Sequence, residues 1–387
     1  MTRFLFLTWP GAGNQVPAIG LATALRDAGH EVTFAGYAAQ TARFASFGFR
    51  LLPEAQRTWP AEPPQDWMPV LADVVWACRG HLDDLPRLLA AEPAVVLVVD
   101  CLMFGALAAA ERSGLPTAVL VHSAPGALAP PGGAAEQSLL LAVNEVRAAG
   151  GRPHLERLWD AWTPFDVLCT SVPELDPLQE RLPAEFSFVG PVDEPCEPSG
   201  WTLPWPADDP RPLVVASFST GPAWDQTSRV QRTLDALDDG SYRVLVTAGM
   251  VDPQRLHVPG DAAVVPFVPH AEVFPSAAAI VTHAGHGTVA AALRQGLPVV
   301  ALPNRDADQP ALAAHLADRG AGIALDGELA SPADIRAAVD TVRTDAGYRA
   351  AATQMAAAIA AAPGVDGAVS SLHHMAGRSE AAGDGAR

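Results

Sequence analysis

Short apolar runs alternate with longer alanine-rich stretches along nearly the whole chain. Phe4 to Leu7, Val32 to Ala35, Val95 to Val99, Ala118 to Val121 and Val167 to Thr170 form one series. Leu213 to Phe218, Arg243 to Val246, Ala263 to Phe267, Ile280 to Thr282, Val299 to Leu302 and Gly322 to Leu325 form a second. Runs this short and this continuous are what strands buried on both faces require, and the helical stretches between them supply the cover. The pattern predicts an α/β chain with two parallel sheets, each built from strand–helix–strand units.

Between the two series lies a stretch rich in Pro, Asp and Glu and without periodicity, so residues 191–212 are expected to link a first domain, 1–190, to a second, 213–376. The polar end, 377–387, is expected to be disordered. Two irregular regions interrupt the first series: Pro53 to Pro69, with Trp59 and Trp67, and His122 to Gly133, full of Pro and Gly. Long loops at the carboxyl ends of strands line ligand crevices. Trp59 and Trp67 are therefore candidates for gripping an apolar acceptor, with packing onto the domain as the alternative.

A chain of 387 residues, nearly half of them apolar, has enough material for two cores. Its formal charge of −18 repels nucleic acid and anionic membrane, and no apolar stretch reads as a membrane span. Cys78, Cys101, Cys169 and Cys196 show neither ligand spacing nor a disulfide framework, and a reducing cytoplasm is the expected home. A homodimer is compatible with the sequence.

The chemistry concentrates between Phe267 and Gln309. His283-Ala-Gly285-His286-Gly287-Thr288 follows an apolar run and opens a helical stretch ending at Gly296. Unpaired amides at a helix start attract anions, and glycines let a diphosphate approach them, while Thr288 offers a hydroxyl and His283 an imidazole N–H. Glycine-rich turns occur in every doubly wound fold, so the glycines alone are weak. Asp308-Gln309, ahead of Pro310, also suits an ordinary helix start. The order and spacing of aromatic-x-Pro, His-x-Gly-x-Gly-Thr and Asp-Gln carry the argument.

On these motifs, and over nearly all of its length from Phe4 to about Val342, the chain resembles the inverting, nucleotide-sugar-dependent glycosyltransferases of the GT-B fold, in particular bacterial enzymes that decorate natural products. The resemblance implies two Rossmann-like doubly wound domains facing a cleft, an N-terminal one for the acceptor and a C-terminal one for the donor. It implies that Phe267 stacks on the nucleobase where the family usually has Trp. His283, Gly285, His286, Gly287 and Thr288 would hold the diphosphate, and Asp308 with Gln309 the sugar hydroxyls. Ser219 and Thr220 match a loop near the phosphates, although Ser219 stands where the family has Gly. The implied partners are a dTDP- or UDP-sugar and a small lipophilic acceptor, with O- or C-glycosylation both open. No cofactor and no metal are implied, and Asp306-Ala-Asp308 only imitates the metal-binding Asp-x-Asp of another glycosyltransferase fold.

The chain departs from the family at the base. Members usually carry Gly-His-x-x-Pro after the first strand, whereas this chain reads Gly13-Asn14-Gln15-Val16-Pro17. An amide accepts no proton at neutral pH. Asp100, at the end of its strand, matches the family's His-orienting Asp. The leading reading makes Asp100 base or orienter and Asn14 a hydrogen-bonding positioner, with a helix cap over Leu102 to Arg112 as the alternative for Asp100. His122, in a neighbouring loop, is an alternative base, with an ordinary structural role favoured for it. Three other functions compete. A dinucleotide oxidoreductase is argued against by Val16 where a third glycine is needed. A nucleotide-sugar epimerase and a catalytically weakened scaffold serving a partner enzyme stay open.

Overall fold

The structure is a computed structural model describing residues 1–56, 58–218 and 225–384, the last few by backbone alone. Ser219 and Thr220 lie outside the described residues. In the first sheet, β1 (Arg3–Leu7), β2 (Glu31–Gly36), β3 (Leu51–Pro53), β4 (Val96–Asp100), β5 (Thr117–Val121), β6 (Asp166–Cys169) and β7 (Phe186–Phe188) lie in the order β3-β2-β1-β4-β5-β6-β7. In the second, β8 (Leu213–Ser217), β9 (Arg243–Thr247), β10 (Ala262–Val265), β11 (Ala277–Thr282), β12 (Val299–Ala301) and β13 (Gly322–Ala324) lie in the order β10-β9-β8-β11-β12-β13. Every pairing is parallel.

Both sheets have the doubly wound order, and in both the order reverses at one place: between β1 and β4, and between β8 and β11. Outside the carboxyl ends of the strands, at such a reversal, the connecting loops diverge and leave a crevice. Each strand expected from the apolar runs forms, within a residue or two except at β11, which begins earlier. β3 and β7 were not expected. Each is a three-residue edge strand, Leu-Leu-Pro and Phe-Ser-Phe, too short to show a period.

The first core joins Phe4, Phe6, Phe34 and Val98 to the helix Ala12–Asp27, through Ile19, Leu21 and Leu25. Phe34 stacks on Phe44 with ring centroids 4.1 Å apart. The second joins Val214, Val246, Val281 and Val300 to the helices Thr227–Ala236 and Pro332–Thr344, through Val230, Leu234, Ile335 and Val339.

The units divide the chain differently from the expected 1–190 and 213–376. One comprises Met1–Val172, Glu180–Pro195 and Ala362–Arg387, and the other Pro173–Gln179 and Cys196–Ala361. The break at 195/196 falls inside the expected linker. The far end returns to the first unit as the helix Gly364–Asp384, so the stretch from 377 to 384, expected to be disordered, is helical. Ala368, Leu372, Met375 and Ala376 recur at helical spacing and bury against the first core, and Gly364 N–H donates to the Val189 carbonyl at 2.6 Å. The polar composition beyond 376 concealed a helix nucleated by this docking. The alanine-rich run Ala346–Arg378 does reach the length and mean hydropathy, 1.3, of a membrane span, against the expectation that none would. It is two helices interrupted at Ala362-Pro363, and each belongs to a different unit.

Candidate functional site

The first unit gathers Asn14, Asp100 and His122 at the reversal of its sheet. β1 delivers Thr8 and Trp9, β4 ends on Asp100, and β5 ends just before His122. His122 Nδ1 lies 3.0 Å from Asp100 Oδ2. The other carboxylate oxygen, Oδ1, accepts from the Trp9 indole N–H at 3.0 Å and from the Leu102 amide at 3.0 Å. Asn14 Nδ2 lies 3.2 Å from Asp100 Oδ2, Thr8 Oγ1 and the Trp9 carbonyl alike. Burial alone would drive the proton from His122, but the Asp100 carboxylate outweighs it and holds the imidazolium well above its ordinary range.

This arrangement bears on several readings. Asp100 does not cap the helix Phe104–Ser113, whose N-cap is Met103 without a side-chain bond. Both Asp100 oxygens already face N–H donors. His122, for which a structural role was favoured, pairs with Asp100 through Nδ1, which leaves Nε2 as the ring nitrogen outside that pair. Cys101 Sγ is 3.6 Å from the same Nδ1, and donor atoms of Asp100, Cys101 and His122 lie within 4.8 Å of one another. The nearer Asp100 carboxylate, rather than the thiol, accepts the hydrogen bond from Nδ1–H. Asn14 is 3 % exposed, and among the described residues its carbonyl Oδ1 has no donor.

The aromatic candidates differ in exposure. Trp67 is buried at 7 % and packs on Trp59 with centroids 5.1 Å apart, so the expectation of an exposed gripping residue is corrected for Trp67. Trp59 is half-buried, 5.9 Å from Tyr37 and 6.5 Å from Trp9. Trp9 was missed by sequence reasoning. It continues the aromatic row to the carboxylate, and its position just past β1 was the signal that could have found it. Gly11, the N-cap of Ala12–Asp27, is constrained by the same ring, because a Cβ there would fall 2.6 Å from the Trp9 indole.

In the second unit, Phe267, His283 to Thr288 and Asp308-Gln309 all follow the carboxyl ends of β10, β11 and β12. Phe267 is 67 % exposed, which leaves a ring face open to a flat ligand. The helix His286–Arg294 begins two residues before the expected Thr288, with Gly285 as its N-cap. Gly287 has open space where a side chain would stand, and Gly285 lacks it, since a Cβ would fall 2.6 Å from His283 Nε2. His286 is buried and Thr288 half-buried. Ala284 (φ 63°) and Ala307 (φ 62°) both hold left-handed backbone, a cost of roughly 1–2 kcal/mol each that surrounding contacts must offset. His283 is buried, and that burial, aided by the nearby Arg229, lowers its pKa to about 4. Its imidazole is uncharged at neutral pH.

Asp308 precedes the helix Gln309–Asp318 without capping it through its side chain. Gln309 is buried, and its carbonyl accepts from the Asn304 amide at 3.0 Å and from Asn304 Nδ2 at 2.8 Å. Asn304, Gln226 and Arg229, all buried beside it, were not singled out from the sequence, where none belongs to a recognisable motif.

Comparisons with known proteins place the chain among glycosyltransferases of the GT-B fold. The family model "Erythromycin biosynthesis protein CIII-like, C-terminal domain" matches residues 231–375. The chain is 28 % identical to 4'-demethylrebeccamycin synthase of Lentzea aerocolonigenes over 91 % of its own length and 94 % of the relative's. It is 27 % identical to vancomycin aglycone glucosyltransferase of Amycolatopsis orientalis, covering 88 % and 90 % of the two chains. Among solved structures, the glycotransferase of kitacinnamycin superposes with a TM-score of 0.76 at 21 % identity, over 97 % of this chain and 98 % of that one. The glycosyltransferase VinC in complex with DTDP superposes with a TM-score of 0.74 at 22 % identity, over 97 % and 100 %. The fold is GT-B.

Proposed function

We propose that this chain, a glycosyltransferase of the GT-B type, moves a sugar with inversion from a dTDP- or UDP-sugar to a hydroxyl of a small lipophilic natural product. The acceptor oxygen attacks the anomeric carbon, the bond from that carbon to the diphosphate oxygen breaks, and the acceptor proton passes to His122 Nε2. Asp100 fixes the ring through Nδ1 and stabilises the imidazolium that forms. Asn14, with an undonated carbonyl beside this pair, positions the acceptor, and Trp59 with Trp9 offers it an aromatic face.

In the second unit, Phe267 takes the base, and the turn from His283 to Thr288 takes the diphosphate. Asp308 and Gln309 take the sugar. Donor groups fixed in place before charge develops on the leaving phosphate do the work that a metal ion does elsewhere, so no cofactor is required. Four cysteines outside any disulfide fit a reducing cytoplasm.

The observation that carries this reading is the 3.0 Å His122–Asp100 pair, which supplies the proton acceptor that Asn14 does not. The test is His122→Ala assayed with dTDP- and UDP-sugars against phenolic and alcoholic natural products. Turnover is expected to fall by about 10²–10⁴-fold with nucleoside diphosphate affinity unchanged. Full turnover in that variant would overturn the role of His122, and a rate abolished by a chelator and restored by magnesium would overturn metal independence.

A further inference from the structure

A chain of buried polar side chains runs beneath the Asp308-Gln309 pair. Arg229 Nη1 donates to Gln226 Oε1 at 3.3 Å, Gln226 Nε2 to Asn304 Oδ1 at 3.3 Å, and Asn304 Nδ2 to Gln309 Oε1 at 2.8 Å. Gln226 and Asn304 are 2 % exposed, and Arg229 and Gln309 are 4 % exposed. Glu328 binds Arg229 from the far side and anchors its charge.

The direction of this chain is fixed at both ends by groups that can only donate. A guanidinium has no acceptor, so Gln226 must turn its oxygen to Arg229 and its nitrogen to Asn304. At the other end the Asn304 backbone N–H also donates to Gln309 Oε1, at 3.0 Å, so that atom must be oxygen. Neither amide in between can be reversed without setting donor against donor. Gln309 is left with its N–H groups to present.

We propose that Arg229, Gln226 and Asn304 are positioning residues that hold Gln309 as an obligate donor, and that the sugar group meeting Gln309 is therefore an acceptor: a hydroxyl or keto oxygen, and not a protonated amine. This rests on the donor reading given above. Asp308, an acceptor beside Gln309, completes a pair that matches a hydroxyl, which both accepts and donates. An ammonium at that ring position would meet the N–H groups of Gln309 with nothing to accept them.

The test uses the full chain and a panel of dTDP- and UDP-hexoses in which one hydroxyl at a time is replaced by an amino group. At one ring position the replacement is expected to raise KM in the wild type by about 10-fold or more, the worth of one hydrogen bond to a charged or buried partner. Asn304→Asp removes one of the two donors that pin Gln309 Oε1 and sets a carboxylate against that oxygen, while the backbone N–H still donates to it, so neither orientation of the Gln309 amide is fully satisfied. That variant should lose the discrimination at the same position, with dTDP and UDP affinities unchanged. Gln226→Glu, which perturbs the chain from another helix, should shift it in the same direction and stands in if the first variant melts early. Discrimination unchanged in a folded variant overturns the proposal. Wild-type protein that binds neither dTDP nor UDP overturns the donor reading itself, a different result.

Discussion

His122 and His283 are both buried imidazoles, and their surroundings push them in opposite directions. Asp100 holds the proton on His122, whereas burial and Arg229 keep His283 neutral. The first has consequences for rate. A base must be deprotonated to act, so kcat/KM is expected to rise with pH through a midpoint above the ordinary histidine value of about 6.5. Asp100→Asn removes the attraction that holds the proton, so the midpoint should move to lower pH while the maximum rate falls, which a pH–rate profile of both proteins measures.

Stability follows the same shifts with opposite signs. The raised His122 contributes stability that is fully present below about pH 6.5 and lost as pH rises through its folded value. The lowered His283 contributes stability present above its unfolded value and lost as pH falls toward about 4. Melting curves of His283→Asn should show a shallower acid decline than the wild type, and an identical decline would assign the acid limb to other groups.

At the scale of the element, the turn between β11 and its helix ties backbone to side chain. Gly285 is needed because the imidazole of His283 occupies the space a Cβ would take. Gly285→Ala should therefore displace His283 and weaken dTDP or UDP binding by about 10-fold, roughly one lost hydrogen bond, with little change in melting temperature. Ala284 is the reverse case, a side chain held at φ 63°. Ala284→Gly is expected to raise stability by about 0.5–1 kcal/mol in denaturant titrations, relief of the left-handed cost exceeding the added chain entropy.

At the scale of the whole molecule, the last helix completes the first core rather than extending the second unit. Leu372 is fully buried and Met375 nearly so. Leu372→Ala should cost about 2–5 kcal/mol, as a large-to-small change in a packed core does, and deletion from residue 364 should cost more. Chemical denaturation measures both. A deletion that leaves the unfolding midpoint unchanged would mean that this helix is a passenger.

The strands and helices, the two parallel sheets and the positions of most donor-side candidates were legible in the sequence. Continuous apolar runs separated by amphipathic stretches have few other ways to bury themselves, and glycine, proline and capping residues act within a few positions of where they stand. What the sequence left open depended on proximity between residues far apart along the chain. Asp100 had three readings, base, orienter or cap, and which side chains it meets, His122, Trp9 and Asn14 from three strand ends, is not written in its neighbours along the chain. The hydrogen bonds of Gln309 were invisible for a related reason, since no motif marks Asn304, which donates to it, or the Gln226 and Arg229 side chains behind Asn304. The polar tail beyond residue 376 offered no apolar pattern of its own, and its helix exists because the preceding turns found a core to bury against. Local rules wrote the elements, and long-range contact chose the proton states, the hydrogen-bond directions and the partner of the last helix.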